Sequence, residues 1–126
     1  MRTYVDSDVL IWHLRGERKA ISLFRRFSAE GADLWLGALQ RVEVVFFMRA
    51  SEREATMHLL SKFKTAPVTA DVVDKAAALF QEWNPSHGID VNDAILAATA
   101  MHTGGRIYTL NTKHYPMQDI AVVRAW

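Results

Sequence analysis

Five short β-prone runs, separated by longer stretches of helical spacing, occupy this 126-residue chain, and that alternation restricts its fold more than any other feature. The runs are Thr3–Val5, Asp33–Gly37, Ala66–Val68, Arg106–Leu110 and Ala121–Val123. Parallel strands cannot be joined by a tight hairpin and need a crossover, usually a helix, which most of the gaps here are long enough to supply. The expectation is therefore an α/β fold with a short central parallel sheet and helices on both sides. No repeat, low-complexity tract or linker interrupts the chain, so residues 1–126 read as one domain, of a length that can bury a sizeable core.

The helices can be placed by their caps and periodicity. Ser7 or Asp8 can cap a first helix that ends near Gly16, and Arg18–Phe27 sets Ile21, Leu23, Phe24 and Phe27 inward with Arg25 and Arg26 outward. Leu39–Met48 is dense in apolar residues and reads as a largely buried helix, and Glu52–Lys62 as an amphipathic one. Thr69 caps a helix carrying Val72, Ala76, Leu79 and Trp83, after which Asn84–Gly88 reads as a loop. Asp90 or Asn92 begins an alanine-rich helix that Gly104 and Gly105 close.

Several classes are excluded or made unlike this chain by what it lacks. With no cysteine there is neither a disulfide nor a thiolate metal site, and no apolar run approaches the roughly 20 residues that span a bilayer. No leader pattern opens the sequence, so a cytoplasmic location is expected. Net charge is +1, from 15 Lys and Arg against 14 Asp and Glu, far from the basic excess of a protein that holds nucleic acid by bulk electrostatics. Any such function must be local. A near-neutral surface also suits a chain with a partner better than a free monomer.

In parallel α/β sheets the ligand crevice lies beyond the C-terminal ends of the strands, which directs attention to polar residues just after a strand. Asp6 follows the first run. Glu43 is the one charge between Val42 and Met48, in an apolar stretch that would tolerate it poorly unless it had a partner. Asp93 opens the alanine-rich helix beside Asp90. A buried carboxylate needs a base, backbone donors or a hard cation, and a cluster of oxygen ligands suits Mg²⁺ or Mn²⁺ and phosphodiester hydrolysis. The plainer readings stand beside this one. Asp6 and Asp93 can be helix caps, Glu43 can pair with Arg41 or Arg49, Asp8 and Asp90 can be caps or supports, and spacing alone does not bring residues 6, 43 and 93 together.

Four segments carry a resemblance. Tyr4–Ile11 (Tyr-Val-Asp-Ser-Asp-Val-Leu-Ile) resembles the opening motif of PIN domains, Val42-Glu43-Val44 their second acidic position, and Asp93–Ala100 their third motif. Ile107–Pro116 resembles the closing strand and turn. On these the chain is identified as similar to the PIN-domain family in its VapC-like toxin branch. The resemblance implies a PIN-like fold and a divalent-metal-dependent endoribonuclease, often acting on structured RNA such as tRNA. Asp6, Glu43 and Asp93 would be both catalytic and metal-binding, with Mg²⁺ or Mn²⁺ as cofactor. It also implies a small antitoxin that blocks the acidic pocket, and a homodimer. Where many relatives have a fourth acidic residue this chain has Asn111 and His114, so Asn111, with Thr109 or Asp90, is the expected helper. That departure keeps open a catalytically weak binding module, and the same carboxylates could serve a DNA nuclease or a phosphatase. The five histidines show no zinc spacing, and His114 alone lies beside the expected pocket. Arg15, Arg18, Arg25 and Arg26 could meet RNA phosphate, and Trp12 and Trp35 an antitoxin; solvated faces and core packing are the commoner uses of such residues.

Overall fold

The computed structural model describes residues Met1–Trp126. Its strands are β1 (Arg2–Val5), β2 (Asp33–Gly37), β3 (Lys64–Ala66), β4 (Arg106–Thr109) and β5 (Ala121–Arg124). Its helices are α1 (Ser7–Leu14), α2 (Arg18–Glu30), α3 (Ala38–Val45), α4 (Arg53–Leu60), α5 (Ala70–His87) and α6 (Val91–Thr103). One sheet takes all five strands in the order β3-β2-β1-β4-β5, and every pairing is parallel.

Strand alternation sorts the core into two layers. Tyr4 and Ile107 point to one face and join Ala76, Leu79, Leu96 and Ala97 of α5 and α6. Val5 and Tyr108, one residue further on, point to the other face and join Val9, Leu23, Phe27 and Leu60 of α1, α2 and α4. The alanines of α6 let it lie close: Ala94, Ala97, Ala98 and Ala100 are buried, and Tyr4 donates or accepts across to Thr103 Oγ1 at 2.9 Å. At Gly105 the approach is closer still, since a Cβ there would meet the Tyr4 ring at 2.5 Å. The chain winds from β1 outward to β3, then returns through α5 and α6 to β4 on the other side of β1. The order therefore reverses between β1 and β4, the place where such sheets open a crevice.

Several expectations shift. Asn84–Gly88 is not a loop: α5 runs through Pro85 to His87, and Gly88, in the left-handed region (φ 62°), caps it with its N–H on Asn84 O. A proline in the last turn gives up one helical hydrogen bond, and the Asn84 amide repairs the end by donating to Ile89 O at 2.8 Å. The third strand is Lys64–Ala66, earlier than Ala66–Val68, because it must register with Trp35–Gly37. The expected buried helix over Leu39–Met48 stops at Val45, and Phe46 and Phe47 are 74% and 83% exposed. Trp35 packs half-buried on the α5/α6 layer beneath the Arg2 guanidinium, 3.5 Å from its ring, while Trp12 is exposed. No helix is long and apolar enough to cross a membrane.

Candidate active site

The first acidic residue leaves β1 in extended conformation and turns the chain into α1. Asp6, not Ser7 or Asp8, is the N-cap, and its Oδ1 accepts from Ser7 N at 2.8 Å. Capping occupies one oxygen. The other, Oδ2, accepts from the Tyr115 hydroxyl at 2.8 Å and the Thr109 hydroxyl at 3.0 Å. Thr109 ends β4 beside β1, so the reversal point supplies both partners. Asp8, the second residue of α1, accepts from Leu110 N at 3.2 Å and buttresses the same β4 end.

A second helix start brings the next pair. Asp90 caps α6 by accepting from Asp93 N at 2.8 Å, and Asp93 returns the bond by accepting from Asp90 N at 3.2 Å, a reciprocal box. The remaining capacity of Asp93 points inward. Its Oδ1 lies 3.3 Å from the Tyr115 hydroxyl, and its Oδ2 lies 3.0 Å from His114 Nδ1. The single Tyr115 hydroxyl thus sits between the carboxylates of β1 and α6, which are 87 positions apart in the chain but neighbours here. Glu43, half-buried on α3, also lines an open cavity of about 170 Å³ with Ile11, Leu14, Arg15 and Phe47.

The electrostatics bind these residues into one group. Burial raises the Asp6 carboxyl above its usual range; Tyr115, Thr109 and Ser7 N oppose the rise, and the charge of Asp90 adds to it. Burial, then the Asp6 charge, pushes Asp8 up to about 6. Burial, then Asp6 and Asp90, pushes Glu43 up to about 7, against a hydrogen bond from the Ser7 side chain. Asp93 rises to about 6, from burial and from Asp90 and Asp6, with His114 opposing. Tyr115 is raised well above the ordinary phenol, by burial and then by the carboxylates around it.

The structure therefore brings Asp6, Glu43 and Asp93 within one another's fields and adds Asp8 and Asp90 to them. Asn111 stands one step outside: its side-chain amide lies 2.8 Å from His114 Nδ1, and its own N–H donates to Thr109 Oγ1 at 3.0 Å. Tyr115 is the residue that reading the sequence missed. It was in view only as part of the closing motif, and nothing local marks a tyrosine after a turn as a donor to two distant carboxylates. Chemically the donor set is all oxygen with one imidazole at the rim, which suits a hard cation that keeps its waters. The raised carboxyls fit this, because their crowded negative charge is what a bound cation would relieve. The fit is open rather than closed: no three acidic or imidazole side chains converge tightly enough to hold an ion by themselves.

Comparison with known proteins identifies the family and the fold. A sequence profile described as the PIN domain matches residues 3–120. Ribonuclease VapC10 of Mycobacterium tuberculosis is 34% identical over 114 residues, covering 90% of this chain and 85% of that protein. Ribonuclease VapC19 of the same organism is 32% identical, with 90% and 91% covered. Among solved structures, a toxin–antitoxin complex from Klebsiella pneumoniae superposes with a TM-score of 0.79 at 24% identity, over 98% of each chain. DNA-bound VapBC from Salmonella typhimurium superposes at 0.82 and 12% identity, over 100% of this chain and 99% of that one. These two show the shared fold.

Proposed function

The chain belongs to the PIN-domain family, and from that premise we propose that it is an endoribonuclease, the toxin of a toxin–antitoxin pair, with Asp6, Glu43 and Asp93 as the residues that hold Mg²⁺ or Mn²⁺. The observation that carries the reading is the carboxylate group itself. Acidic side chains just after β1, on α3 and at the start of α6 lie within one another's fields near the reversal point of the sheet, and each is held above its usual protonation range by burial and by its neighbours. Such an arrangement costs stability unless a cation joins it. When bound, a divalent ion would polarise a phosphoryl oxygen and make a coordinated water acidic enough to attack. The protein's own contribution is positional. Thr109 and Tyr115 fix the Asp6 carboxylate, Tyr115 also reaches that of Asp93, and His114 Nδ1 either donates to Asp93 or accepts from the Asn111 amide, according to which tautomer it takes.

A protein partner has a surface to use. Phe46 and Phe47 are exposed just beyond Glu43, and Trp12 and Val42 are exposed on the neighbouring helices. An antitoxin segment seated on them would reach the acidic pocket, and one of the superposed structures is a toxin–antitoxin complex. A different apolar depression, between α5 and α6 and lined by Val73, Phe80, Val91 and Ile95, is the face assigned to a second copy in a homodimer.

The test is cleavage of total cellular RNA by purified protein with Mn²⁺ or Mg²⁺. The parent cuts, EDTA stops it, and Asp6→Asn is at least about a hundredfold slower while keeping its circular dichroism, as expected when several kcal/mol of transition-state stabilisation is lost. Cleavage that persists in EDTA, or in Asp6→Asn at the parent rate, rules the reading out.

A further inference from the structure

RNA brings a charge problem to this pocket. Five carboxylates (Asp6, Asp8, Glu43, Asp90 and Asp93) act on one another there, and the chain as a whole carries only +1. The nucleotides on either side of the cut must be held by cations placed locally. The end of β5 leads to such a place. Thr109, whose hydroxyl binds Asp6, accepts from Ala125 N at 2.9 Å, and the exposed Arg124 donates from Nη1 to Leu110 O at 3.1 Å. From there the chain runs on to Trp126 and settles against α2, leaving a depression of about 420 Å³ lined by Arg18, Lys19, Ser22, Arg26 and Trp126.

Few of these cations are neutralised by the fold: Arg124 is held by a neutral carbonyl and Arg26 by one exposed ion pair. The ion pairs of the molecule are Arg26–Glu30 at 3.8 Å, Lys64–Asp33 and His114–Asp93, so Arg18, Lys19 and Arg124 have no carboxylate within reach. Helix α2 also divides its basic residues. Arg18, Lys19 and Arg26 face Trp126 and the end of β5, whereas Arg25 lies over a separate groove with His13, Phe24 and Lys62. A solvated basic face would not need that division, nor an indole set among the guanidiniums. Cations that track a backbone beside an aromatic ring are the usual equipment for single-stranded nucleic acid.

We infer that the depression between α2 and Ala125–Trp126 is a binding site for the RNA backbone flanking the scissile bond, with phosphates held by Arg18 and Lys19 within it and by Arg124 at the end of β5, and with the half-buried Trp126 forming its apolar wall. The inference rests on the ribonuclease reading and extends its site from the acidic pocket across the end of β5. An acidic segment of a protein partner would meet the same cations, but continuity with the pocket through Thr109 and Leu110 favours the substrate.

The experiment is fluorescence anisotropy of the full chain with a labelled single-stranded RNA oligonucleotide, in EDTA so that nothing is cut, over a range of salt. A second measurement is steady-state cleavage with Mn²⁺. Arg18→Ala/Lys19→Ala should bind about tenfold more weakly, with a slope of log affinity against log salt shallower by about 1 to 1.5, as two lost phosphate contacts require. Its KM should rise while kcat is kept, Arg124→Gln should behave likewise, and Arg25→Ala should match the parent. If the double variant binds RNA with the parent's affinity and salt slope while the parent cleaves RNA, the inference fails and the ribonuclease reading stands. The inference is equally overturned if the double variant instead loses affinity for a polyglutamate peptide alone, since the surface would then serve an acidic protein. A parent that neither binds nor cleaves RNA overturns both readings.

Discussion

The two sides of the acidic pocket are built differently. On the β1/α6 side every carboxylate is tied: Asp6 accepts three hydrogen bonds, and Asp93 is held by Asp90 N, Tyr115 and His114. On the α3 side Glu43 rides an eight-residue helix whose N-terminus has no side-chain cap and which ends in two exposed phenylalanines. The first side is made in advance by the fold. The second has the Ser7 hydroxyl as its one side-chain partner and otherwise feels the first as negative charge. A site of this kind has its reference frame on one side and its adjustable ligand on the other, which accounts for an open donor set in which no three ligands close on a point.

Alanine at each position tests this most severely. Asp6→Ala deletes a cap and leaves buried hydroxyl donors without their acceptor, so it should cost roughly 2–4 kcal/mol of stability as well as activity. Glu43→Ala removes a repelled, half-buried charge and should leave stability within about 0.5 kcal/mol of the parent or above it. Both should lose cleavage by at least about a hundredfold. Denaturant titration beside an RNA-cleavage assay checks the pair. Equal losses of stability would erase the distinction between the two sides.

Next in size is Tyr115→Phe. The ring stays packed while the hydroxyl shared by Asp6 and Asp93 disappears, so the fold should survive and Mn²⁺ affinity by calorimetry should fall by about 10- to 100-fold, the usual effect of losing a ligand's support. Unchanged affinity would mean that the prebuilt side does not need its bridge.

How far this was legible in the sequence depends on range. The parallel sheet, the order of elements and the caps Thr69 and Asp90 followed from local pattern, whereas the first cap lies at Asp6, just before the expected Ser7 or Asp8. Asp6 proves to be cap and pocket residue at once, because a carboxylate has two oxygens and the cap uses one. Tyr115 was not legible: its role depends on the turn at Thr112–His114 folding back over strands more than 100 residues away in sequence. Glu43 was singled out for an apolar setting that sequence reading took as buried. Val42, Phe46 and Phe47 are exposed instead, since apolar composition does not distinguish a core from a docking face. Asn84–Gly88 misled because the same residues that start loops can finish a helix.

The smallest effect is one of pH on the metal-free protein, and its sign follows from the raised carboxyls. Asp8 and Asp93 are pushed up to about 6 and Glu43 to about 7 in the folded chain, against ordinary values of 3.8 and 4.5. A carboxyl that holds its proton more tightly when folded adds stability below the unfolded value and loses it as pH climbs through the folded one. Stability should therefore decline between about pH 4 and pH 7, against the usual trend for paired carboxylates. Solvent screening of these partly exposed groups reduces the effect to about 1 kcal/mol, or roughly 5 °C in Tm for a domain of this size. Thermal melts in EDTA at a series of pH values measure it. Repeating them with Mn²⁺ should restore most of the loss at pH 8, where Asp8, Glu43 and Asp93 are ionised, and little at pH 4, where these three hold their protons. Glu43→Gln should flatten the upper part of the curve, and Asp93→Asn the lower part. If Mn²⁺ raised Tm equally at both ends of the range, the stabilisation would lie elsewhere on the molecule, and the carboxylates could not be its source.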